Sequence, residues 1–120
     1  MRNINFLVIT PDSKVYAFSC TSEVFLSNAQ AHVGGYVDVA TRRDGKVCAW
    51  VHDEGLLIGL DRNPLVEALL QRRPLVGTAV ITGGTDADGD TLSVPPSFVD
   101  EVLALASIEW VDWIGVIEVR

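Results

Sequence analysis

The sequence predicts a single α+β domain in which about two to three helices pack on a mostly antiparallel sheet of about five to six strands. Length and composition support this first, because 120 residues with 48% apolar content supply one hydrophobic core and are too few for two comfortable domains. Strand-like runs then alternate with amphipathic segments, and turn residues separate them. No repeat, low-complexity tract or linker divides the chain, so residues 1–120 are expected to form one domain.

Apolar runs bounded by turn residues predict the strands. Pro11-Asp12-Ser13-Lys14 would join the first two strands in a hairpin, because proline presets φ and Asp or Ser bonds the nearby backbone. Asp44-Gly45 predicts a second hairpin with a tight primed turn, which needs positive φ values. The nearly continuous apolar run that ends at Thr82 is typical of a central strand covered on both faces. The predicted strands are Ile4–Thr10, Val15–Ser19, Tyr36–Thr41, Val47–Val51, Leu75–Thr82 and a closing strand at Val111–Val119.

Capping residues followed by apolar stripes predict the helices. A Ser, Thr or Asn side chain accepts a hydrogen bond from a free amide at a helix start, and proline suits the first helical position because no amide hydrogen is needed there. The first helix would run to about His32 and stop at Gly34-Gly35. The second would bury an apolar stripe of Leu65, Val66, Leu69 and Leu70. The start signals are Thr21 or Ser22, Asn63-Pro64, and Pro95-Pro96-Ser97.

The charge balance argues against two classes of partner. A formal net charge of -7 opposes binding to a phosphate backbone or an anionic membrane surface, where Lys and Arg supply the affinity. No apolar run approaches the roughly 20 residues of a membrane span, and the start of the chain lacks the pattern of a signal peptide. We therefore expect a cytoplasmic protein that binds neither nucleic acid nor membrane directly.

Two polar clusters contain metal-ligand residue types, but neither has the spacing of a metal site. His52-Asp53-Glu54 has no second ligand pair at helical or Cys-x-x-Cys spacing and is interpreted as a polar turn. Asp86, Asp88 and Asp90 resemble a calcium loop, but Ser97 stands where the bidentate glutamate is required. We expect a solvated loop tip there and no bound metal.

Motifs for catalysis are missing from the rest of the chain. No phosphate loop opens a helix after a strand, and no serine lies in a nucleophile elbow. Cys20 and Cys48 lie in apolar, strand-like contexts and are expected to remain reduced. The sequence therefore predicts a protein without enzyme activity and without a cofactor.

Four short motifs occur in order along the middle of the chain. They are Val33-Gly34-Gly35-Tyr36-Val37, His52-Asp53-Glu54-Gly55, Leu60-Asp61-Arg62-Asn63-Pro64 and Gly77-Thr78-Ala79-Val80-Ile81. Together they resemble the DUF3846 family, a small domain of unknown function carried by tailed phages and conjugative elements. Family members usually have Asn-Glu-Glu-Gly where this chain has His52-Asp53-Glu54-Gly55. The resemblance spans residues 33–81, implies an origin in a phage or mobile element, and brings no established chemistry.

One hypothesis for the function is a non-enzymatic sponge that sequesters a small anionic, nucleotide-type signal of the host. An exposed aromatic side chain can stack on a planar ligand, and arginine, asparagine and histidine can select its polar groups. Such a site would be shared between subunits, so the hypothesis predicts a homo-oligomer. The candidate ligand-binding residues are Tyr36, Arg42, Arg43, His52, Glu54, Arg62 and Asn63.

The alternative hypothesis is an acidic inhibitor that binds a basic host enzyme or defence protein. It predicts a hydrophobic patch rimmed by carboxylates and an association that weakens with salt. The candidate interaction residues are Asp86, Asp88, Asp90, Asp100 and Glu101. Whether Trp50, Trp110 and Trp113 belong to the core or to a site is left open by the sequence.

Overall fold

The computed structural model of the protein describes residues 2–106. Within this range it contains a five-stranded sheet and three α-helices, which confirms the predicted α+β class. The strands are β1 (Asn3–Ile9), β2 (Val15–Thr21), β3 (Val37–Thr41), β4 (Val47–His52) and β5 (Ala79–Gly83). The helices are α1 (Phe25–Val33), α2 (Pro64–Leu70) and α3 (Pro96–Ala106). The predicted closing strand at Val111–Val119 lies outside the described residues.

The sheet has the strand order β2-β1-β5-β4-β3, and every neighbouring pair is antiparallel. β5 is central and all of its residues are buried, as its apolar run predicted. It begins at Ala79 rather than at the predicted Leu75, because Gly77 adopts a left-handed φ of +75° and Val76 pairs with Arg62 in an isolated bridge. Among residues 2–106, β2 and β3 form the two edges of this sheet.

Helices cover both faces of the sheet. Alternation along β1 directs Phe6 and Val8 towards α1, whereas Leu7 and Ile9 point to the opposite face, where α2 and α3 pack. The predicted stripe of α2 is buried on that face, at Leu65, Val66, Leu69 and Leu70. The result is a three-layer arrangement with a core on each side of the sheet.

The start of α1 differs from the prediction. A 3-10 turn at Ser22–Val24 precedes the helix, and neither Thr21 nor Ser22 caps it through a side chain. The amide of Ser22 instead donates to the carbonyl oxygen of Arg2 at 2.8 Å, so strand pairing continues to this point and delays the helix. The predicted end is correct, since Gly34 adopts the left-handed φ of +86° that closes α1.

The hairpin between β3 and β4 forms as predicted, but its turn is longer than the expected primed turn. The amide of Arg42 donates to the carbonyl oxygen of Val47 at 2.8 Å, and the amide of Gly45 donates back to Arg42 at 2.8 Å. Gly45 has a φ of +73°, whereas Asp44 lies outside the left-handed region. A type I turn followed by a left-handed glycine therefore replaces the two-residue turn.

Two further features concern membranes and thiols. Among the helices of residues 2–106, none combines the length and the apolarity that crossing a membrane requires. Cys20 and Cys48 are both free thiols. Burial raises the pKa of the Cys20 thiol, which disfavours the reactive thiolate at neutral pH.

Candidate functional site

The residues predicted to bind a small ligand lie at two separate ends of β3. His52 pairs with Val37 at the start of the strand, and the amide of Asp53 donates to the carbonyl oxygen of Tyr36 at 3.0 Å. Arg42 follows the other end of the strand, about 20 Å from Tyr36 at the rise of an extended chain. The structure therefore does not bring the tyrosine and this arginine into one pocket.

Arg42 is occupied by interactions within the protein. Its guanidinium donates to Asp44 at 2.7 Å and 3.1 Å and to Glu101 at 2.9 Å. It also lies over the ring of Phe98, 5.4 Å from the centroid. The hydrogen bonds from Arg42 hold the pKa of Asp44 below its usual value. Binding an anion here would compete with two carboxylates, so Arg42 fastens the hairpin to α3.

Arg62 forms a similar internal pair with Glu67, a buried carboxylate of α2. The guanidinium of Arg62 donates to both carboxylate oxygens at 3.0 Å, and the amide of Leu75 adds a hydrogen bond at 3.0 Å. Burial raises the pKa of Glu67, but the amide of Leu75 and the charge of Arg62 outweigh this and leave the pKa below its usual value. The pair joins the start of α2 to the segment before β5.

Asn63 is buried, and both polar atoms of its side chain form hydrogen bonds within the fold. Its amide nitrogen donates to the carbonyl oxygens of Ile9 and Gly77 at 2.9 Å and 3.0 Å, and its oxygen accepts from the amide of Val66 at 3.3 Å. The predicted helix cap is thereby confirmed. No polar group of this side chain faces solvent, so Asn63 offers nothing to a ligand.

Arg43 is the predicted binding residue that retains a free guanidinium, since it makes no ion pair with any residue between 2 and 106. It lines a cavity of about 420 Å³ together with Leu70, Gln71 and Arg72. Arg72 is partly engaged there, because its Nε donates to the carbonyl oxygen of Thr41 at 2.6 Å. The cavity is basic, and no aromatic side chain of residues 2–106 lines it.

A run of three apolar residues is exposed between β4 and α2. Leu56, Leu57 and Ile58 are 64%, 86% and 55% exposed. We call residues 56–58 the apolar turn. Hydrogen bonds within the backbone hold it, including one from the amide of Ile58 to Glu54 at 3.0 Å. Its base is close-packed, since a Cβ added at Gly55 would lie 2.7 Å from the side chain of Val76.

The apolar turn borders a groove of about 360 Å³ that we call the acidic groove. Its carboxylates come from Asp38 on β3 and from Asp53 and Glu54, which precede the apolar turn and are separated from it by Gly55. Its apolar wall is formed by Val51, Leu56, Leu57, Pro74, Leu75 and Val76. None of the three carboxylates is paired with a Lys or Arg of the described chain. The groove therefore combines apolar surface with unneutralised negative charge.

His52 is one of the residues that line the acidic groove. A Cβ at Gly35 would lie 2.5 Å from its Nε2, so any side chain at residue 35 would force the imidazole ring to move. The Nδ1 atom of His52 accepts a hydrogen bond from the amide of Glu54 at 3.0 Å. Because Nδ1 accepts this hydrogen bond, it does not donate one to the carboxylate of Asp53, which lies 3.6 Å away. The carboxylate of Asp53 thus stays available to a partner.

The residues predicted to bind a basic host protein lie on opposite sides of the sheet. The Asp86–Asp90 loop borders a cavity with Phe25 and Trp50 on the side of α1, whereas Glu101 pairs with Arg42 on the side of α3. The three loop carboxylates lie within 4.8 Å of one another. Their negative charge is partly neutralised by Arg2, whose guanidinium lies 3.3 Å from the carboxylate of Asp86 and 3.4 Å from that of Asp90. Asp88 and Asp100 are exposed.

Trp50 belongs mainly to the core. Its indole nitrogen donates to the hydroxyl of Thr82 at 2.9 Å, and its ring packs edge-on against Phe25 with centroids 5.2 Å apart. Both partners lie on the face of the sheet that α1 covers. Trp110 and Trp113 lie outside the described residues.

Comparison with known proteins identifies the family. The family profile described as Domain of unknown function (DUF3846) matches residues 2–107, most of the chain. The protein belongs to the DUF3846 family. No curated protein and no solved structure matches it. The match confirms the resemblance seen in the sequence and extends it well beyond residues 33–81.

The motifs that carry the resemblance to DUF3846 meet at one end of the sheet. Three of their glycines allow close contacts there: Gly35 against His52, Gly55 against Val76, and Gly77 against Leu60. The acidic groove lies among these contacts. Sequence reasoning missed the apolar turn of this DUF3846 protein, because three successive apolar residues between two glycines are typical of a short buried segment, and their exposure is visible only in the folded chain.

Proposed function

We propose that this DUF3846 protein is a non-enzymatic accessory protein of a phage or mobile element that binds and inhibits a basic host protein. The observation that carries the proposal is the apolar turn beside the acidic groove. Isolated exposed apolar residues are common, but Leu56, Leu57 and Ile58 follow one another and form a contiguous exposed patch. Burying one such side chain contributes about 1.5–3 kcal/mol to association.

The rim of the patch determines the kind of partner. Asp38, Asp53 and Glu54 present negative charge next to apolar side chains. A partner surface with apolar residues surrounded by Lys or Arg complements this arrangement, and such charges speed association and discriminate against other partners. The overall charge of -7 adds long-range attraction to a basic protein.

The nucleotide sponge becomes the second candidate, because two of its three arginines are engaged elsewhere. Arg42 and Arg62 would have to leave carboxylate partners at 2.7–3.0 Å before binding an anion. One observation still favours a sponge, which is the basic cavity lined by Arg43 and Arg72. In this candidate a second subunit supplies the aromatic side chain that residues 2–106 do not place at the cavity, so the predicted homo-oligomer is retained.

Capture by the tagged full-length protein in a bacterial host tests the proposal. We expect Leu57→Ser to reduce capture of one specific host protein about tenfold, because it removes the most exposed apolar side chain of the patch. Leu105→Ser is the matched control, since Leu105 is 55% exposed on α3, away from the groove. Capture should also weaken as salt rises.

Equal capture by the wild type and Leu57→Ser would contradict the proposal. Native mass spectrometry distinguishes the second candidate, because a sponge purifies as an oligomer that releases a small anionic molecule on denaturation. Loss of that molecule in Arg43→Ala, with the captured proteins unchanged, would favour sequestration over inhibition.

A further inference from the structure

The edge of β3 has backbone groups that no described residue pairs with. The amide of Asp53 donates to Tyr36, and the amide of Arg42 donates to Val47, which sets the alternation of the antiparallel ladder. Even-numbered residues of β3 therefore bond to β4, and odd-numbered residues direct their N–H and C=O groups away from the sheet. At Val37 and Val39 these outward groups have no partner among residues 2–106.

The free edge is short and has a defined end. Thr41 also points its carbonyl oxygen outward, but the Nε of Arg72 donates to it at 2.6 Å. Arg72 comes from the end of α2, so it closes the edge at this point. The segment open to strand pairing is therefore residues 37–39.

The acidic groove lies beside this open segment. Asp38 pairs with Val51 across the β3–β4 ladder, and both line the groove. The outward side of Asp38 is a non-hydrogen-bonded position, where side chains of facing residues come closest. A residue placed opposite Asp38 on an added strand would project towards Asp38, Asp53 and Glu54. Residues opposite Val37 and Val39 would project to the other face, where Val39 is 48% exposed.

We propose that β3 accepts an extended basic segment of the partner protein as an added strand. This inference rests on the proposed function, because it specifies how the partner binds. The segment alternates apolar and basic residues: a Lys or Arg enters the acidic groove opposite Asp38, and apolar side chains cover Val37 and Val39. Main-chain hydrogen bonds to Val37 and Val39 contribute affinity, and the groove selects the basic residue.

Charge favours this occupant over two others. A second copy of the chain would bring another net charge of -7 and a second acidic groove to the same edge. The chain's own residues 107–120 contain three acidic residues and one basic residue, so their composition does not complement Asp38 either. A basic segment is the occupant that neutralises the groove.

The test uses the full-length protein and a synthetic peptide of alternating Val and Lys. A peptide in which Glu replaces every Lys is the matched control. We expect the Lys peptide to bind, to slow hydrogen exchange at the amides of Val37 and Val39, and to bind about tenfold more weakly to Asp38→Lys. The Glu peptide should bind only to that variant. Binding of both peptides with equal affinity would overturn the proposal.

Val39→Pro tests the backbone contribution. Proline removes an outward N–H that β4 does not use, so the β3–β4 ladder keeps its hydrogen bonds. We expect Val39→Pro to abolish binding of the Lys peptide. Leu57→Ser should weaken binding of the same peptide to a smaller extent. Slow exchange at Val37 and Val39 in the free protein would overturn the proposal, because the edge would already be covered. If Val39→Pro does not fold, Asp38→Lys and the exchange data decide alone.

These outcomes separate the inference from the proposed function. Host-protein capture that depends on Leu57 but is unchanged in Asp38→Lys would refute strand addition and leave the inhibitor proposal standing. Capture that is insensitive to Leu57 refutes the proposed function itself, whatever the peptides do.

Discussion

Removal of the Asn63 side chain is expected to destabilise the protein more than alanine substitution at any other predicted binding residue. The side chain makes three hydrogen bonds in a buried position: two to the carbonyl oxygens of Ile9 and Gly77, and one from the amide of Val66. It therefore joins the end of β1, the segment before β5 and the first turn of α2. Asn63→Ala breaks all three connections at once.

The expected loss follows from these contacts. A helix that loses its capping side chain is destabilised by about 1 kcal/mol. Each buried carbonyl that loses its donor costs about 1–2 kcal/mol when water cannot replace the bond. The sum for Asn63→Ala is about 3–5 kcal/mol, a large part of the roughly 5–15 kcal/mol that stabilises a typical domain. Asn63→Asp should be at least as harmful, because its carboxylate keeps the cap but faces the carbonyl oxygens of Ile9 and Gly77.

Urea unfolding monitored by tryptophan fluorescence measures this loss of stability. We expect the urea concentration at the unfolding midpoint to fall, while the dependence of the unfolding free energy on urea concentration stays unchanged. Asn28→Ala is the control, since Asn28 makes one hydrogen bond, to Val24 at 2.9 Å on an exposed part of α1, and should cost under about 1 kcal/mol. A loss below about 1 kcal/mol for Asn63→Ala would refute the assignment of this residue to structure and return it to the ligand-binding candidates.

Two more predictions concern Glu67 and Gly84. The pKa of Glu67 is lowered in the folded chain from the usual 4.5, so its stabilising effect is complete above that value and is lost as pH falls through the lower folded pKa. The stability difference between the wild type and Glu67→Gln should therefore narrow on acidification from neutral pH, and a constant difference would contradict this. Gly84→Ala would place a Cβ 2.3 Å from the carbonyl oxygen of Gly45, so we expect a loss of about 1–3 kcal/mol and shifted NMR signals in the β3–β4 turn. Gly89→Ala meets no atom within 4 Å and should leave those signals unchanged despite its left-handed φ.

Local chemistry explains the successes of the sequence predictions. Pro64 after Asn63 marks the start of α2, and Gly34 marks the end of α1, because capping depends on residues only a few positions apart. Apolar periodicity identified the strands and the buried stripe of α2 for the same reason. Errors appeared where a distant contact intervened, as at the start of α1, where the backbone of Arg2 holds Ser22 in strand pairing.

The candidate site depended on contacts that no local pattern contains. The sequence by itself determined one α+β domain, its principal strands and helices, its acidic charge and its family, because these follow from composition, periodicity and short motifs. Only the tertiary structure decided that Arg42 meets Glu101, 59 residues away, and that β3 lies at an edge beside the apolar turn. Strand order and side-chain partners are set by packing between distant segments, so the engagement of the arginines and the exposure of Leu57 emerge only in the folded chain.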